Sequence, residues 1–167
     1  DPAGAYTSFD GHMPAGEDIR RSGEFCQKIR EAVGGNCDLL FGTHGQFTAA
    51  GAIRLAQAIA PFDPLWFEEP VPPDNPAEMA KVARAVPIPV ATGERLCMAA
   101  EFSSLLDHNA AAILQPDLGR VGGIREAAKI AAMAAVKHVQ IAPHLYCGPI
   151  VAAANIQFAA ATPNFLI

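Results

Sequence analysis

Residues 64–70 read Pro-Leu-Trp-Phe-Glu-Glu-Pro, and the fold can be worked out from this stretch. It is an apolar run that stops at a carboxylate, Glu68, and residues 88–94 repeat the pattern by ending at Glu94. The two glutamates are 26 residues apart, which suits one strand followed by one helix. If both runs are parallel strands, both carboxylates lie at the same end of the sheet, where α/β barrels keep their chemistry.

Strand and helix patterns alternate on both sides of this pair. Strands are expected at residues 38–41, 65–67, 88–91, 112–115, 139–142 and 165–167. Helical spacing of apolar residues fills the segments between them, and short strands without period-2 polarity are typical of a parallel sheet covered by helices. The sequence therefore predicts an α/β fold, a partial (β/α) barrel of the TIM type with about six of its eight strands.

Helix ends are marked by particular residues. Asn75 can cap a helix that begins at Pro76, because proline suits the first helical turn. Residues 34–36, Gly-Gly-Asn, tolerate left-handed backbone and are expected to end the first helix. Pro61 closes the helix expected over residues 49–60.

Composition limits the class of protein. The chain has 167 residues, a net charge of −5 and 51% hydrophobic residues, which fits one domain over residues 1–167 with a substantial core. The absence of a basic stripe argues against nucleic-acid binding, and the apolar stretches are too interrupted to cross a membrane. The four cysteines have no metal or redox spacing and no signal peptide is apparent, so we expect a cytoplasmic protein.

Both ends of the sequence suggest part of a larger protein. Residues 1–6 read as a loop that should follow a strand, and residues 165–167 read as a strand that has barely begun. We therefore expect a fragment of a longer chain.

Ionisable side chains follow five successive strands of this pattern. They are His44, Glu68, Glu94, Asp117 and His144. Paired carboxylate oxygens suggest a hard divalent cation, and histidine exchanges protons near neutral pH. Each residue alone has an ordinary explanation as a salt-bridge partner, a helix cap or a loop histidine. Their joint placement at strand ends favours a functional site.

Two neighbours of these residues are given structural roles. Glu69 is expected to point away from Glu68, because the pleat of a strand alternates side chains. Cys147 lies close to His144 in sequence and could suggest a Cys–His nucleophile, but no other residue supports that interpretation.

Four motifs resemble one known family. They are residues 66–70, 92–96, 115–117 with 122–124, and 142–144 with 148–149. In order and spacing they resemble the enolase superfamily, in particular its mandelate racemase-like group and the sugar-acid dehydratases of the galactonate dehydratase type. The resemblance runs from about residue 38 to residue 167.

The resemblance implies a role for each residue. Glu68 and Glu94 match magnesium ligands, which makes Mg²⁺ the expected cofactor. Asp117 and His144 match an Asp–His pair in which the imidazole is the base, and His44 matches the acid that protonates a departing hydroxyl. The resemblance further implies a hydro-lyase acting on a small carboxylate, a sugar acid. The full-length protein would be a homo-oligomer with an N-terminal capping domain that is not in this chain.

The sequence departs from the family pattern at one ligand. The third magnesium ligand of the family is an aspartate, and its position here is Gly42. Asp38 cannot replace it, because it would lie roughly 13 Å away along the strand. Racemisation or cycloisomerisation of a carboxylic acid on the same fold therefore stays open, as does a catalytically inactive barrel.

Overall fold

The computed structural model describes residues 11–167, which form two compact units that divide between Val90 and Ala91. The helices and strands of the first unit are α1 (Gly16–Val33), β1 (Leu39–Gly42), α2 (Ala49–Ile59), β2 (Pro64–Glu68) and α3 (Pro76–Ala85). Strand β3 (Val90–Thr92) lies at the junction. The elements that follow are α4 (Ala99–Asp107), β4 (Ile113–Leu114), α5 (Ile124–Val136), β5 (Gln140–Ile141) and α6 (Pro149–Ala161).

The strands are parallel and follow the order of the chain, β1 to β5. In the first unit β1 pairs with β2, and Gly42 lies opposite Glu68. In the second unit β4 pairs with β3 on one side and with β5 on the other. A sixth strand amounts to a single parallel bridge between Ile141 and Phe165. The predicted α/β class and partial barrel are confirmed, with five strands where about six were expected.

The start of α3 and the end of α1 lie at the residues that predicted them, and α2 begins at a cap that was not predicted. The Asn75 side chain accepts a hydrogen bond from the Glu78 amide at 3.3 Å, and Pro76 is the first residue of α3. Thr48 caps α2 by accepting from the Gly51 amide at 3.1 Å. Residues Gly34–Asn36 form a short 3-10 turn directly after α1, as their tolerance of left-handed backbone predicts.

Each unit has a core of its own. In the first unit α1 packs against α2 and α2 against α3, and the most completely buried apolar side chains are Ile59, Phe67, Met79 and Val82. In the second unit α5 packs against α4, α6 and β5, around Phe102, Leu114, Ile130 and Ile141. These side chains come from strands and from the inner faces of helices, as helical and strand periodicity requires.

The guanidinium group of Arg30 forms hydrogen bonds that connect three segments of the first unit. Arg30, in the last turn of α1, donates to the carbonyls of Gly34 at 2.9 Å and Cys37 at 2.7 Å. It also donates to Phe62 and Asp63, each at 3.1 Å, in the turn before β2. Arginine is suited to this task because its planar fork carries five N–H donors.

No helix among residues 11–167 is long and apolar enough to span a membrane. The four cysteines are free, which agrees with the absence of paired spacing in the sequence. Burial raises the pKa of the Cys26 thiol, because desolvation disfavours the thiolate.

Candidate active site

Asp117 and His144 form a hydrogen-bonded pair in the second unit. Asp117 follows β4 and His144 follows β5, so parallel pairing of the two strands brings their ends together. The Nδ1 atom of His144 lies 2.8 Å from Oδ2 of Asp117. Asp117 is completely buried, whereas the His144 side chain is 20% exposed. The contact fixes the orientation of the imidazole through Nδ1, so Nε2 is the ring nitrogen that faces away from Asp117.

Nε2 of His144 in turn faces a second carboxylate. Oε2 of Glu94 lies 3.3 Å from it, and the Glu94 side chain is 12% exposed. The contact is an ion pair when the ring is protonated. An imidazolium at this position would therefore have a carboxylate at each of its two nitrogens.

The backbone around Gly93 positions Glu94. Gly93 has φ 134°, in a region that strongly favours glycine. A Cβ built on it would lie 2.7 Å from Cε1 of Phe102 and 3.1 Å from the amide nitrogen of Gln115. Phe102 is fully buried, so neither neighbour can move away easily. The glycine thus lets the chain turn tightly between β3 and the glutamate.

Gly93→Ala is expected to destabilise the full-length protein by about 2–4 kcal/mol, because the new methyl group adds overpacking to backbone strain. Denaturant unfolding of the variant and the wild type measures the difference.

Gly16→Ala is the matched control for this substitution. Gly16 begins α1, and a Cβ built on it meets no atom of residues 11–167 within 4 Å. Its change in unfolding free energy should stay within about 0.5 kcal/mol. If Gly93→Ala were equally harmless, the tight turn would not need glycine.

In the first unit, the loop after β1 carries His44 and is fixed by hydrogen bonds to the end of β2. The buried Thr43 hydroxyl donates to the carbonyls of Glu68 at 2.6 Å and Glu69 at 2.8 Å. The Gly45 amide donates to the Glu69 carbonyl at 2.7 Å. His44 lies between these two anchored residues and is exposed. His44 therefore belongs to a loop whose backbone is held against the strand end that carries Glu68.

Glu68 itself is half-buried and accepts a hydrogen bond from the indole nitrogen of Trp66 at 3.0 Å. Glu69 is fully buried, and its φ of 38° is left-handed. The pleat of a strand predicted that the two glutamate side chains point in different directions. In the structure β2 ends at Glu68, so the pleat does not extend to Glu69, where the backbone is left-handed.

Gly42 leaves room where the family pattern has an aspartate. It is exposed at the end of β1, opposite Glu68 in the strand pairing. A Cβ built on it meets no atom of residues 11–167 within 4 Å. The surroundings of Gly42 therefore leave space for the Cβ of a larger residue.

Two further contacts on Asp117 were not predicted. The Gly119 amide donates to Oδ1 at 2.8 Å, and Sγ of Cys147 lies 3.8 Å from both carboxylate oxygens. The Asp-Leu-Gly sequence after β4 carries a signal for the first contact, since aspartate commonly accepts from the amide two residues on. The second contact joins segments 30 residues apart and has no local signal.

The strand ends offer carboxylate oxygens, the ligands that hard divalent cations prefer. Among residues 11–167, however, no group of three His, Cys, Asp or Glu side chains is arranged to hold a metal ion. Magnesium is often held by one or two carboxylates and keeps several water ligands. Each carboxylate, taken by itself, is a donor of the type that a partly hydrated Mg²⁺ uses.

Comparison with known proteins identifies the family. Residues 6–167 match the enolase C-terminal domain-like family. The chain belongs to this family. The enolase-like chain is 67% identical to a mandelate racemase/muconate lactonizing enzyme-like protein from Roseovarius sp. TM1035, with a TM-score of 0.95 over 99% of this chain and 42% of that one.

Two curated relatives of the enolase-like chain carry dehydratase names. It is 36% identical over 170 residues to D-xylonate dehydratase of Haloferax volcanii, which covers 95% of this chain and 41% of the relative. It is 42% identical over 127 residues to D-galactonate dehydratase of Cronobacter sakazakii, which covers 76% of this chain and 33% of the relative. The chain thus spans less than half the length of the relatives it matches, and its resemblance to sugar-acid dehydratases of the mandelate racemase-like group is confirmed.

Proposed function

We propose that the full-length protein is a Mg²⁺-dependent hydro-lyase that removes water from a sugar acid of the aldonate type. The observation that carries the proposal is the imidazole of His144, held through Nδ1 by the buried Asp117 and facing Glu94 through Nε2. The names of the two dehydratase relatives support the choice of substrate class.

In this proposal His144 removes the proton next to the substrate carboxylate. Such a proton is a very weak acid, because its loss puts two negative charges on an enediolate. Asp117 keeps the ring oriented, so Nε2 points consistently at the reacting carbon. After the transfer, the imidazolium has Asp117 at one nitrogen and Glu94 at the other, at 2.8 and 3.3 Å.

Glu68 and Glu94 would hold the magnesium ion. When bound, Mg²⁺ supplies positive charge that stabilises the enediolate as it develops. With glycine at position 42, the protein would provide two carboxylates, and oxygens of water or of the substrate would complete the coordination.

His44 would complete the reaction as the acid. It would give a proton to the hydroxyl on the carbon next to the reacting one, so that the C–O bond breaks and water leaves. The enol that remains becomes a 2-keto acid. The hydrogen bonds of Thr43 and Gly45 to the end of β2 support this role, because they fix the loop without covering the imidazole.

The test is incubation of the full-length protein with a panel of aldonates that includes D-xylonate and D-galactonate. A 2-keto acid should form with Mg²⁺ and should not form with a chelator. Proton NMR in heavy water follows both the loss of the α-proton and the appearance of the product.

The same experiment separates the rival functions. Exchange of the α-proton without any 2-keto acid would indicate a racemase, and a rearranged product without loss of water would indicate a cycloisomerase. Absence of both exchange and product across the panel would overturn the proposal and leave an inactive barrel as the explanation.

A further inference from the structure

The carboxylate of Asp117 is enclosed by three donors. It is completely buried, and it accepts hydrogen bonds from the Gly119 amide and from Nδ1 of His144, each at 2.8 Å. The third contact is the thiol of Cys147, 3.8 Å from both oxygens. A buried carboxylate needs such donors, because burial without hydrogen bonds is strongly unfavourable.

Cys147 reaches Asp117 because Gly119 has no side chain. A Cβ built on Gly119 would lie 3.1 Å from Oδ1 of Asp117 and 3.2 Å from Sγ of Cys147. The sulfur, the glycine and the carboxylate are therefore packed together. Cys147 also follows His144 by only three residues, so the same loop supplies the imidazole and the thiol to one carboxylate.

We propose that Cys147 is a positioning residue for the His144 base. Its thiol donates to Asp117 and, packed against Gly119, keeps the carboxylate from rotating away from Nδ1 of His144. Thiols are weak donors, so the contact adjusts the orientation of the carboxylate while the two shorter bonds hold it. The inference rests on the proposed function, because it assigns His144 the role of base.

This geometry differs from that of a cysteine nucleophile. An activated cysteine normally lies within hydrogen-bond distance of its base. Here the sulfur contacts both oxygens of Asp117, the residue that orients the base. The thiol therefore acts through Asp117 and not on the substrate.

The first test uses steady-state kinetics of the full-length protein. Cys147→Ala should lower kcat about five- to tenfold, the effect of losing one ordinary hydrogen bond, because the thiol is a weak donor, with KM within about twofold. Cys147→Ser, which restores a donor, should return kcat to within about twofold of wild type. Cys37→Ala is the control, because both cysteines are exposed and the Cys37 sulfur contacts a backbone carbonyl, that of Asp38, at 3.6 Å.

Cys147→Val tests whether an effect of Cys147→Ala comes from lost packing or folding and not from the lost donor. Valine fills the space of the thiol, with somewhat more volume, and has no donor, so it should behave like Cys147→Ala. The proposal is overturned if the alanine and valine variants keep the wild-type kcat, or if Cys147→Ser is as impaired as they are.

A second measurement does not depend on any substrate. Exchange of the His144 Nδ1 proton with solvent, followed by NMR of ¹⁵N-labelled full-length protein, should be about fivefold faster in Cys147→Ala and Cys147→Val. It should be unchanged in Cys147→Ser and Cys37→Ala. If this pattern appears while no aldonate is dehydrated, the proposed function fails and the positioning by Cys147 stands. Dehydration without the pattern overturns the positioning alone.

Discussion

His144→Asn is expected to lower kcat for dehydration about 10³- to 10⁴-fold in the full-length protein, the upper range for loss of a general base. The asparagine amide can still donate to Asp117 from near the position of Nδ1, so the buried carboxylate keeps a partner. What disappears is the acceptor at Nε2. Exchange of the substrate α-proton in heavy water should fall in parallel with turnover, because both need the same proton transfer.

His138→Asn is the matched control. His138 is exposed just before β5, at the opposite end of that strand from His144, and its φ of 58° is a conformation that asparagine tolerates well. Its kcat should equal that of wild type within about twofold. If His144→Asn kept kcat within tenfold of wild type, His144 would not be the base.

Glu94→Gln is expected to weaken binding of Mg²⁺ about 100-fold or more, because loss of a supporting partner outside the coordination shell already costs about 10- to 100-fold. The amide has nearly the same shape but carries no charge, so the change isolates the electrostatic contribution. Calorimetric titration of the full-length protein with MgCl₂ alone measures the effect without reference to turnover. The titration should extend to millimolar metal, since glycine occupies position 42.

Glu126→Gln separates this effect from a general loss of negative charge. Glu126 is a half-buried residue in the first turn of α5, and its carboxylate pairs with Lys129 at 2.6 Å. Its affinity for Mg²⁺ should match that of wild type. Equal affinities of Glu94→Gln and wild type would remove Glu94 from the metal site.

Much of the fold could be predicted because its signals are local. Asn75 and Pro76 determine where α3 begins through one hydrogen bond and one fixed dihedral angle, and both are visible in the sequence. The end of β2 at Glu68 and the end of β3 two residues before Glu94 could be located because each apolar run is followed by a charge. The last strand was less predictable, since a short run such as residues 165–167 gives no indication of how far pairing extends.

The sequence predicted which residues belong to the candidate site. It predicted fewer of the contacts that these residues make. The contact between Asp117 and His144 follows from parallel strands that end side by side. The contacts of Thr43 and Cys147 depend on loop conformations that place residues more than 20 positions apart within hydrogen-bond range. No periodicity or spacing encodes such pairings, because they arise from tertiary packing. The catalytic and metal-binding roles stay predictions until the variants are measured.

The open space at Gly42 has a genetic consequence. Glycine codons that end in T or C differ from aspartate codons by one base, so a single point mutation can supply the carboxylate that the family pattern has here. A Cβ at this position would meet no atom of residues 11–167 within 4 Å other than those of its chain neighbours, so the backbone leaves space for the first atom of such a side chain. Lineages of this protein can therefore move between a two-carboxylate and a three-carboxylate sequence in one evolutionary step.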